Sequence, residues 1–484
     1  MKKIQEIFSV DLRTLAFFRM SLAAVLFYDL CWRAVDLCAH YTDQGIIPRA
    51  VLLASPYYRQ FWSAYFIDGG TNFTIFLFLV NAVALIVLFL GYRTRLMTFV
   101  CWFLLVSLHN RNPLVLTGGD TILRLLLFWS MFLPLGAVWS ADASASKGPV
   151  PSYKFFSIGT VALYLQFLMI YFFAWASKTG TQWWPEGAAV YYALSIEYMT
   201  THWGSLLLHA PGWLLKTLTY GVYWFECSVP LLFFIKRFRM ILVILLMAMH
   251  TGFALALELG IFPLGGVLTA IILVPGYFWD KSFLKQRMER WAAFLSKMTG
   301  QWAHSSAEDC FVLNTIEKGF VIICLIAAVS FNVEGMQKFP PFLPQAARQF
   351  IYTVRINQSW AMFSPQPSQT TGWYVLEAGE KDGAKIDLAS GGRAVSYEKP
   401  ADVSLLYGNC RWRKFQNNIG RREFARYRKF YADYLCRTWN ARHTKDPVEN
   451  LSIIYFEQRN FDDYIRSNSK PVVLLDNYQI RENQ

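Results

Sequence analysis

The sequence predicts a mainly α-helical, polytopic membrane bundle of about nine spans, followed by a C-terminal extramembrane strand-rich α+β domain. Three observations predict this fold class. Of the 484 residues, 55% are hydrophobic and only 16% are charged, a composition that departs strongly from that of a soluble domain. Long apolar runs recur up to residue 339. From residue 340 the pattern changes to short alternating stretches, so we divide the chain into domains 1–339 and 340–484.

The apolar runs are the elements that predict the bundle, since about 17–25 residues are needed to cross about 30 Å of hydrocarbon as a helix. The first and third runs are the weakest predictions, because Arg19, Asp29 and Arg33 interrupt the first and the third is short. The N-terminus shows no small-residue cleavage site, so we expect a retained first helix. The predicted spans are 14–37, 72–92, 96–110, 121–139, 155–177, 213–235, 239–258, 261–279 and 318–337.

Basic residues fall in every second connection between these runs. Cytoplasmic loops carry an excess of Lys and Arg, so the alternation predicts an N-terminus inside and, with nine spans, a C-terminal domain outside. A bundle of eight spans would place that domain inside. The expected location is the inner (cytoplasmic) membrane, with the lipid bilayer as a partner. The basic loop residues are Arg93, Arg95, Lys147, Lys154, Lys236, Arg237, Arg239, Lys281, Lys285, Arg287, Arg290 and Lys297.

Four stretches of the C-terminal domain alternate as strands do: "GWYVLEAG", "AKIDLA", "LSIIYFEQ" and "PVVLLDNY". The "EKDG" between the first two is typical of a hairpin turn. Between the second and third, Phe424, Tyr427, Tyr431 and Leu435 follow helical spacing with basic residues between them, which predicts one basic amphipathic helix. The cations of 411–442 are typical of a solvated or lipid-facing surface, and docking of an acidic partner is the alternative.

Composition also excludes several classes of protein. The net charge of +13 does not indicate nucleic-acid binding, because the basic residues lie mostly in short loops and one stretch. The eight cysteines are spread singly, without zinc-type spacing, so we expect no metal. In an outside domain, a Cys410–Cys436 disulfide is the alternative to two free thiols. The chain has no phosphate-binding loop, HExxH pair or GxSxG elbow, which argues against a phosphate-driven pump, a zinc protease and a serine hydrolase.

Lys178 ends the fifth apolar run, in the segment "FFAWASKTGTQWWPEG". One interpretation is a lysine that snorkels to the interface, flanked by an aromatic belt. By the predicted topology, however, Lys178 faces outside, where lysines are not favoured. The alternative is a lysine desolvated among Phe172, Phe173, Trp175 and Trp183 that acts as a neutral amine base.

Glu226 and His250 lie well inside apolar runs, where a charge costs several kcal/mol unless it is paired. Each is therefore a candidate for a functional site, and the alternative is an interhelical hydrogen bond that only fixes packing. We expect both to converge with Lys178 on one polar cavity, with His202 at its mouth.

The segment "SLHNRNPLVLTGGDTILRLLLFW" carries the ionisable candidates His109, Asp120 and Arg124. Asp120 and Arg124 are four residues apart and can pair on one helix face. One interpretation is a capped helix start with a local ion pair, and the other is a polar floor that lines a cavity. The three charged residues of the first run carry the same two interpretations.

Taken in order, these segments resemble a known family, the vitamin K-dependent gamma-carboxylase-like proteins, whose bacterial members are often called horizontally transferred transmembrane (HTTM) domain proteins. No single segment is specific, and their shared order over most of the chain carries the resemblance. The segments are "LAFFRMSLAAVLFYDL", "FLGYRTR", "RNP…GGD…R", "YFFAWASKTGTQWWPEG", "YMTTHW", "HTGFALALELGIFP" and "WAMFSPQPSQTTGWYVLEAG…DG".

The resemblance implies a multi-pass protein with an extracytoplasmic β-rich domain that uses reduced vitamin K, O2 and CO2. Carboxylases of the family convert peptide glutamates to gamma-carboxyglutamate and epoxidise the quinol. Their catalytic lysine follows a "YFxAG"-type stretch and precedes a Trp and a Glu-Gly pair, so the resemblance implies that Lys178 is the base that deprotonates the hydroquinone.

The chain departs from the family pattern at two places. Family members have two adjacent lysines at the base, whereas Ser177 precedes Lys178 here. Their loop histidine aligns with Gly119 or Asp120, and His109 lies too far upstream to be an easy substitute. These departures favour oxygenation or epoxidation of the quinol over full carboxylation.

The expected function is therefore that of a quinol-using oxygenase or epoxidase, an oxidoreductase or lyase, with coupling to carboxylation of a protein glutamate as an extension. The expected cofactor is a reduced quinone of vitamin K or menaquinone type, with O2 and CO2 as co-substrates and a protein or peptide at the extracytoplasmic face as the substrate. The competing hypothesis is a non-enzymatic membrane protein that binds or assembles an extracytoplasmic protein. The predicted base is Lys178, supported around the cavity by His250, Glu226, Asp120, Arg124, His202 and His109.

Overall fold

Helices form most of the chain, and a five-stranded sheet lies near its C-terminal end in the computed structural model. The structure describes residues 2–55, 58, 60–145, 152–299, 311–336, 338, 340–461 and 465–479. The helices of this part are α1 (Lys2–Phe8), α2 (Leu12–Val35), α3 (Leu37–Tyr41), α4 (Arg49–Leu53), α5 (Thr71–Leu90), α6 (Thr94–Arg111), α7 (Gly118–Ser130), α8 (Ala141–Ala145), α9 (Ile158–Ala176), α10 (Ala189–Leu194), α11 (His202–Leu208), α12 (Gly212–Phe233), α13 (Arg239–Ala256), α14 (Phe262–Ile271), α15 (Gly276–Lys281), α16 (Phe283–Thr299), α17 (Thr315–Gly335), α18 (Gln345–Val354), α19 (Cys410–Gly420) and α20 (Arg428–Asn440). The strands are β1 (Val10–Asp11), β2 (Lys154–Phe155), β3 (Thr370–Glu380), β4 (Lys385–Asp387), β5 (Arg393–Ala394), β6 (Val448–Arg459) and β7 (Lys470–Gln479).

Five helices within the described residues are long and apolar enough to cross a membrane. The first run, which its charges made a weak prediction, is one of them. α9 is the most central of the five, since 72% of its apolar window is buried, against 22% for α17. The five are Leu12–Val35, Thr71–Leu90, Ile158–Ala176, Lys236–Ala256 and Thr315–Gly335.

The other four predicted runs also form helices, but these are shorter or more polar. α7 has 13 residues and ends before Pro134, whose missing N–H cannot continue a helix. α14 has 10 residues, and Pro275 separates it from α15. α6 and α12 are long enough, with 18 and 22 residues, but their polar residues lower the mean hydropathy.

Arg19 shows how a cation can lie within the first apolar run. Its guanidinium is buried and donates to the carbonyl oxygens of Leu135 at 2.9 Å and Trp139 at 2.8 Å. Gly91 ends α5 with a φ of 73°, and a Cβ there would lie 2.5 Å from Arg19 Nη1. Arg19 therefore joins the end of α5 to the segment after α7. Its charge has a structural role.

The helices meet at two ends of the bundle that differ in charge. At one end, Arg95 of α6 pairs with Glu317 of α17, and Arg13 of α2 pairs with Asp280 of α15 at 2.7 Å. The short strands β1 and β2, which precede α2 and α9, pair antiparallel at the same end. The predicted basic connections around Arg93, Lys154, Lys236 and Lys281 also lie at this end, so we call it the basic end. Lys147 lies outside the described residues. We call the opposite end, where the C-terminal domain lies, the domain end.

The sheet of the C-terminal domain has the order β5-β4-β3-β6-β7, and all neighbouring strands are antiparallel. The four stretches predicted as strands are confirmed. The β3–β4 hairpin closes at the predicted turn, where the N–H of Gly383 donates to the carbonyl oxygen of Glu380 at 3.0 Å. Gly383 has a φ of 89°, which is why a glycine is needed there.

The prediction of a single basic amphipathic helix is wrong. α19 and α20 are separate helices, joined by the 3-10 turn Arg422–Tyr427. The solvated or lipid-facing interpretation is also wrong for Arg411 and Arg413, which are each only 6% exposed. Arg413 turns inward because Glu258 of the bundle pairs with it at 3.1 Å. The role of Arg411 is described below.

Cys410 and Cys436 are free thiols, so the disulfide does not form. Cys436 is buried in the core of the C-terminal domain. Cys410 begins α19 and faces the bundle instead, since a Cβ added to Gly260 would lie 2.9 Å from its Sγ. Burial raises the pKa of the Cys436 thiol to about 12 and also raises that of Cys410. Both residues contribute to packing.

Candidate functional site

Lys178 lies just beyond the end of α9, buried against α12. Its Nζ is 2.6 Å from Glu226 Oε2 and donates a second hydrogen bond to the carbonyl oxygen of Ala174 at 3.2 Å. The ammonium nitrogen also lies 5.0 Å from the ring centroid of Trp183. The two side chains are only 4% and 8% exposed, so Lys178 does not snorkel into bulk water. We call Lys178 and Glu226 the lysine pair.

Aromatic rings surround the lysine pair. Trp183 stacks on Tyr223 of α12 with ring centroids 6.5 Å apart, and Trp175 lies 6.3 Å from the same ring. The indole N–H of Trp175 has no hydrogen-bond partner among the described residues. The side-chain amide nitrogen and oxygen of Gln182 also have no hydrogen-bond partner among the described residues, although Gln182 is only 2% exposed. Unpartnered buried polar groups are rare in folded proteins, so this region offers free donors and an acceptor.

His250 binds a neighbouring part of α9. Its Nε2 is 3.0 Å from the hydroxyl of Tyr171, which is 2.9 Å from Thr269 Oγ1 of α14. Because Thr269 donates to the carbonyl of Gly266 at 2.7 Å, Tyr171 donates to Thr269 and His250 donates to Tyr171. Tyr171 lies in α9, seven residues before Lys178, which follows the end of that helix. The expected grouping of Lys178 and Glu226 thus forms, whereas His250 binds an earlier part of α9.

A second group of buried charges lies at the domain end. Arg33 donates to Asp29 at 2.7 Å and also pairs with Asp120. Arg411 of α19 pairs with both carboxylates, at 3.3 Å in the case of Asp120. All four side chains are at most 7% exposed. We call Asp29, Arg33, Asp120 and Arg411 the junction cluster, because it joins α2 and α7 of the bundle to the C-terminal domain.

Asp120 also caps α7. Its second carboxylate oxygen accepts hydrogen bonds from the backbone N–H of Thr117 at 2.6 Å and from the Thr117 hydroxyl at 2.9 Å. The expected capped helix start is therefore present. The expected ion pair with Arg124 does not form, because Asp120 turns toward Arg33 and Arg411. Arg124 donates instead to the carbonyl oxygen of Asn357 at 2.7 Å.

The remaining histidine candidates lie apart from the lysine pair. His109 belongs to the junction, with Nε2 3.4 Å from Arg33 Nη2 and 3.6 Å from Asp120 Oδ1. His202 begins α11, is exposed, and packs its ring against Trp203. Lys178 and Glu226 therefore form one site, Asp120 and His109 belong to the other, and His202 and Arg124 lie in neither.

His40, in the short helix α3, is a further buried histidine at the junction. Its ring lies 4.5 Å from that of Trp412, and neither ring nitrogen has a hydrogen-bond partner among the described residues. Burial, reinforced by the positive charges of Arg411 and Arg33, lowers the pKa of His40 to about 3. The imidazole is therefore neutral at physiological pH.

The segment 355–366, which we call the strap, runs from the C-terminal domain along α9 to the surroundings of the lysine pair. Gln166 of α9 donates to Gln358 at 2.7 Å, and both side chains are buried. Farther along, the indole N–H of Trp183 donates to the carbonyl oxygen of Phe363 at 3.0 Å. The strap therefore holds the end of α9 and the aromatic wall of the lysine pair.

Sequence reasoning missed the partners that come from distant segments. Tyr171 carried a partial signal, because it is a polar residue in the apolar run that leads to Lys178. Arg411 carried none, since its partner Asp120 is 291 residues away. Gln358 lies in the strap, a segment with no periodic pattern.

The chain matches no family model, no curated protein and no solved structure. Among the residues that the structure describes, no group of three or more His, Cys, Asp or Glu side chains is placed to hold a metal ion. The function is therefore argued from the geometry of the lysine pair and from the resemblance given above.

Proposed function

We propose that the chain is a membrane-embedded enzyme of the gamma-carboxylase-like type, in which Lys178 takes a proton from a reduced quinone. One observation carries the proposal. An amine and a carboxylate lie 2.6 Å apart, buried among aromatic rings, at the end of the most buried membrane-length helix. A buried ionisable group at such a depth is a functional candidate by default.

We further propose nine membrane-crossing helices in the inner membrane, with the N-terminus and the basic end inside and the C-terminal domain outside. Two observations support this arrangement. The basic connections collect at one end of the bundle, as cytoplasmic loops do. Large exposed tryptophans lie toward the other end, as in an interfacial belt, and they are Trp32, Trp184, Trp203, Trp213 and Trp224.

Lys178 acts as a base only when its amine is neutral. In the proposed step the Glu226 carboxylate, 2.6 Å from Nζ, is the group to which the lysine would pass its proton. A neutral amine beside a carboxylic acid avoids burying two charges, each of which costs several kcal/mol to desolvate. The carbonyl of Ala174 accepts a second N–H and so orients the amine.

The residues around the pair fit the chemistry of a quinol. The unpartnered amide of Gln182 would hold a ring oxygen, and the faces of Trp175, Trp183 and Tyr223 would pack against a planar ring. A bound reduced quinone would supply the electrons that reduce O2, leaving quinone epoxide and water as products. The chain itself would orient the ring, take its hydroxyl proton at Lys178 Nζ and exclude bulk water.

Oxygenation or epoxidation is favoured over carboxylation of a protein glutamate. The position of the family's loop histidine is taken by Gly119 or Asp120, and Asp120 is engaged by two arginines and by its helix cap. The Asp120 carboxylate is therefore occupied by the contacts of the junction cluster. A carboxylation step, if present, would use CO2 and a peptide glutamate at the extracytoplasmic face.

The second candidate is a non-enzymatic membrane protein that binds or assembles an extracytoplasmic protein. The same pair favours it, because Lys178 and Glu226 satisfy each other and would fix α9 against α12 without any chemistry. The two candidates predict different results for one experiment.

The deciding experiment measures quinol-dependent O2 consumption by the purified protein with reduced menaquinone. We expect Lys178→Ala to lower the rate by about 100-fold or more, the contribution of a positioned base. The matched control is Lys216→Ala, which removes an exposed lysine of α12 near the same end. Equal rates for Lys178→Ala and Lys216→Ala would remove the base assignment, and no turnover by the wild-type protein would favour the non-enzymatic candidate.

A further inference from the structure

α16 lies across the basic end of the bundle, outside the five membrane-length helices. It follows α15, whose Asp280 pairs with Arg13 at the start of α2. Trp291 of α16 contacts Phe89 near the end of α5, with ring centroids 6.0 Å apart. Because α2 begins and α5 ends at this level, α16 lies where these two membrane-length helices would leave the hydrocarbon.

The residues of α16 divide into two faces. An inner face packs on the bundle and consists of Leu284, Met288, Trp291 and Leu295, which are buried or half-buried. An outer stripe has the same helical spacing, is exposed along its whole length, and falls within about 80° of the helix circumference at 100° per residue. This outer stripe consists of Phe283, Arg287, Arg290, Phe294 and Lys297.

The stripe alternates aromatic rings and cations. Phe283 is 71% exposed and Phe294 is 50% exposed, which is unusual for phenyl groups in contact with water alone. The acidic groups nearby are already engaged, since Glu289 pairs with Lys285 at 3.9 Å and Asp280 pairs with Arg13. The three cations of the stripe are therefore not neutralised by their own helix.

We infer that this outer stripe is a binding surface for anionic phospholipid headgroups. The guanidinium and ammonium groups would pair with lipid phosphates, and the two phenyl rings would enter the boundary between headgroups and acyl chains. Each cation near an anionic membrane surface adds to the attraction, so three in one row favour anionic over zwitterionic lipid. The inference concerns the basic end and does not depend on any chemistry at Lys178.

The test counts lipids that remain bound to the full-length protein in native mass spectrometry, with phosphatidylglycerol or phosphatidylcholine added to the detergent. The variant Arg287→Gln/Arg290→Gln/Lys297→Gln should bind phosphatidylglycerol about tenfold or more weakly than wild type. The matched control Lys381→Gln/Arg422→Gln/Lys445→Gln removes the same charge from exposed positions of the C-terminal domain and should bind as wild type does.

Three results would overturn the inference. The first is an equal loss of phosphatidylglycerol binding in the two triple variants. The second is wild-type binding of phosphatidylcholine as tight as that of phosphatidylglycerol. The third is full displacement of the bound lipid by inorganic phosphate. A measurement on the wild-type protein alone guards against a variant that fails to fold. Its phosphatidylglycerol binding should fall steeply between low and high salt, because exposed charges are screened. Salt-independent binding would contradict the electrostatic surface.

Discussion

The lysine pair and the junction cluster are both buried groups of charges, but they are built from different cations. The junction cluster holds two carboxylates between Arg33 and Arg411, whose guanidinium groups do not deprotonate in proteins and grip carboxylates in a fixed geometry. The lysine pair holds one amine against one carboxylate. Unpartnered polar atoms lie near both groups, so the difference between them is the type of cation. Arginine suits a permanent joint, whereas lysine can give up its proton. The comparison supports a structural role for the junction cluster and is consistent with the chemistry proposed for the lysine pair.

The variant Lys178→Arg tests most directly whether the lysine pair differs in role from the junction cluster. A guanidinium keeps the charge opposite Glu226 but cannot serve as a base, so we expect quinol-dependent O2 consumption to fall by about 100-fold to 10,000-fold. Thermal unfolding in detergent should change little, because the ion pair persists. Full activity in this variant would make the pair structural, like the junction cluster.

Asp120→Ala should cause the largest loss of stability. Removing this carboxylate leaves Arg33 and Arg411 buried with one acidic partner and removes the cap of α7, which together cost about 3–5 kcal/mol. Detachment of the C-terminal domain from the bundle should appear as faster proteolysis after α18. The matched control is Asp382→Ala, an exposed aspartate in the β3–β4 turn. Similar proteolysis of the two variants would show that the junction cluster is not the joint.

Gly266→Ala tests whether the position of His250 matters to the lysine pair. A Cβ at Gly266 would lie 2.1 Å from the imidazole, so the ring must move, at a cost of about 1–3 kcal/mol. We expect lower O2 consumption than in Gly252→Ala on α13, where a Cβ meets nothing within 4 Å. Equal activity of the two variants would confine His250 to packing.

The smallest expected effect is a pH dependence of the free energy of unfolding, caused by His40 beside the junction cluster. His40 has a pKa of about 3 in the folded protein and about 6.5 when unfolded, so the unfolded chain binds the extra proton between these values. Stability should therefore fall as the pH drops below about 6.5, by at most about 1.4 kcal/mol per pH unit. Urea unfolding from pH 7 to pH 5 would measure the slope, and His40→Gln should reduce it. An unchanged slope in that variant would assign the acid sensitivity to other groups.

The sequence predicted the helices and the sheet well, because both depend on local patterns. Each of the nine predicted apolar runs contains a helix, although α7 ends at Ser130 and the run 261–279 is divided between α14 and α15. The four alternating stretches contain strands of one sheet. The errors occurred where a local pattern was extended too far. The spacing of Phe424, Tyr427, Tyr431 and Leu435 suggested one helix, although a 3-10 turn interrupts it.

The candidate site was predictable only in part. Lys178, Glu226 and His250 stood out because charges are costly in apolar runs. Their grouping could not be derived from the sequence, since Glu226 lies on α12, 48 residues after Lys178. The spacing of Asp120 and Arg124 predicted a local ion pair. Asp120 instead pairs with Arg411, and Arg124 donates to the carbonyl oxygen of Asn357.

The sequence by itself determined where most helices and strands form, because hydrophobic periodicity acts over a few residues. It also marked the charges within the apolar runs as buried, but not Arg411 and Arg413 of the C-terminal domain. Only the tertiary structure decided which charges meet. A buried charge selects its partner by proximity in the folded chain, and Arg411 reaches Asp120 only after the C-terminal domain has docked on the bundle. The same docking lays the strap over α9 and so completes the surroundings of Lys178.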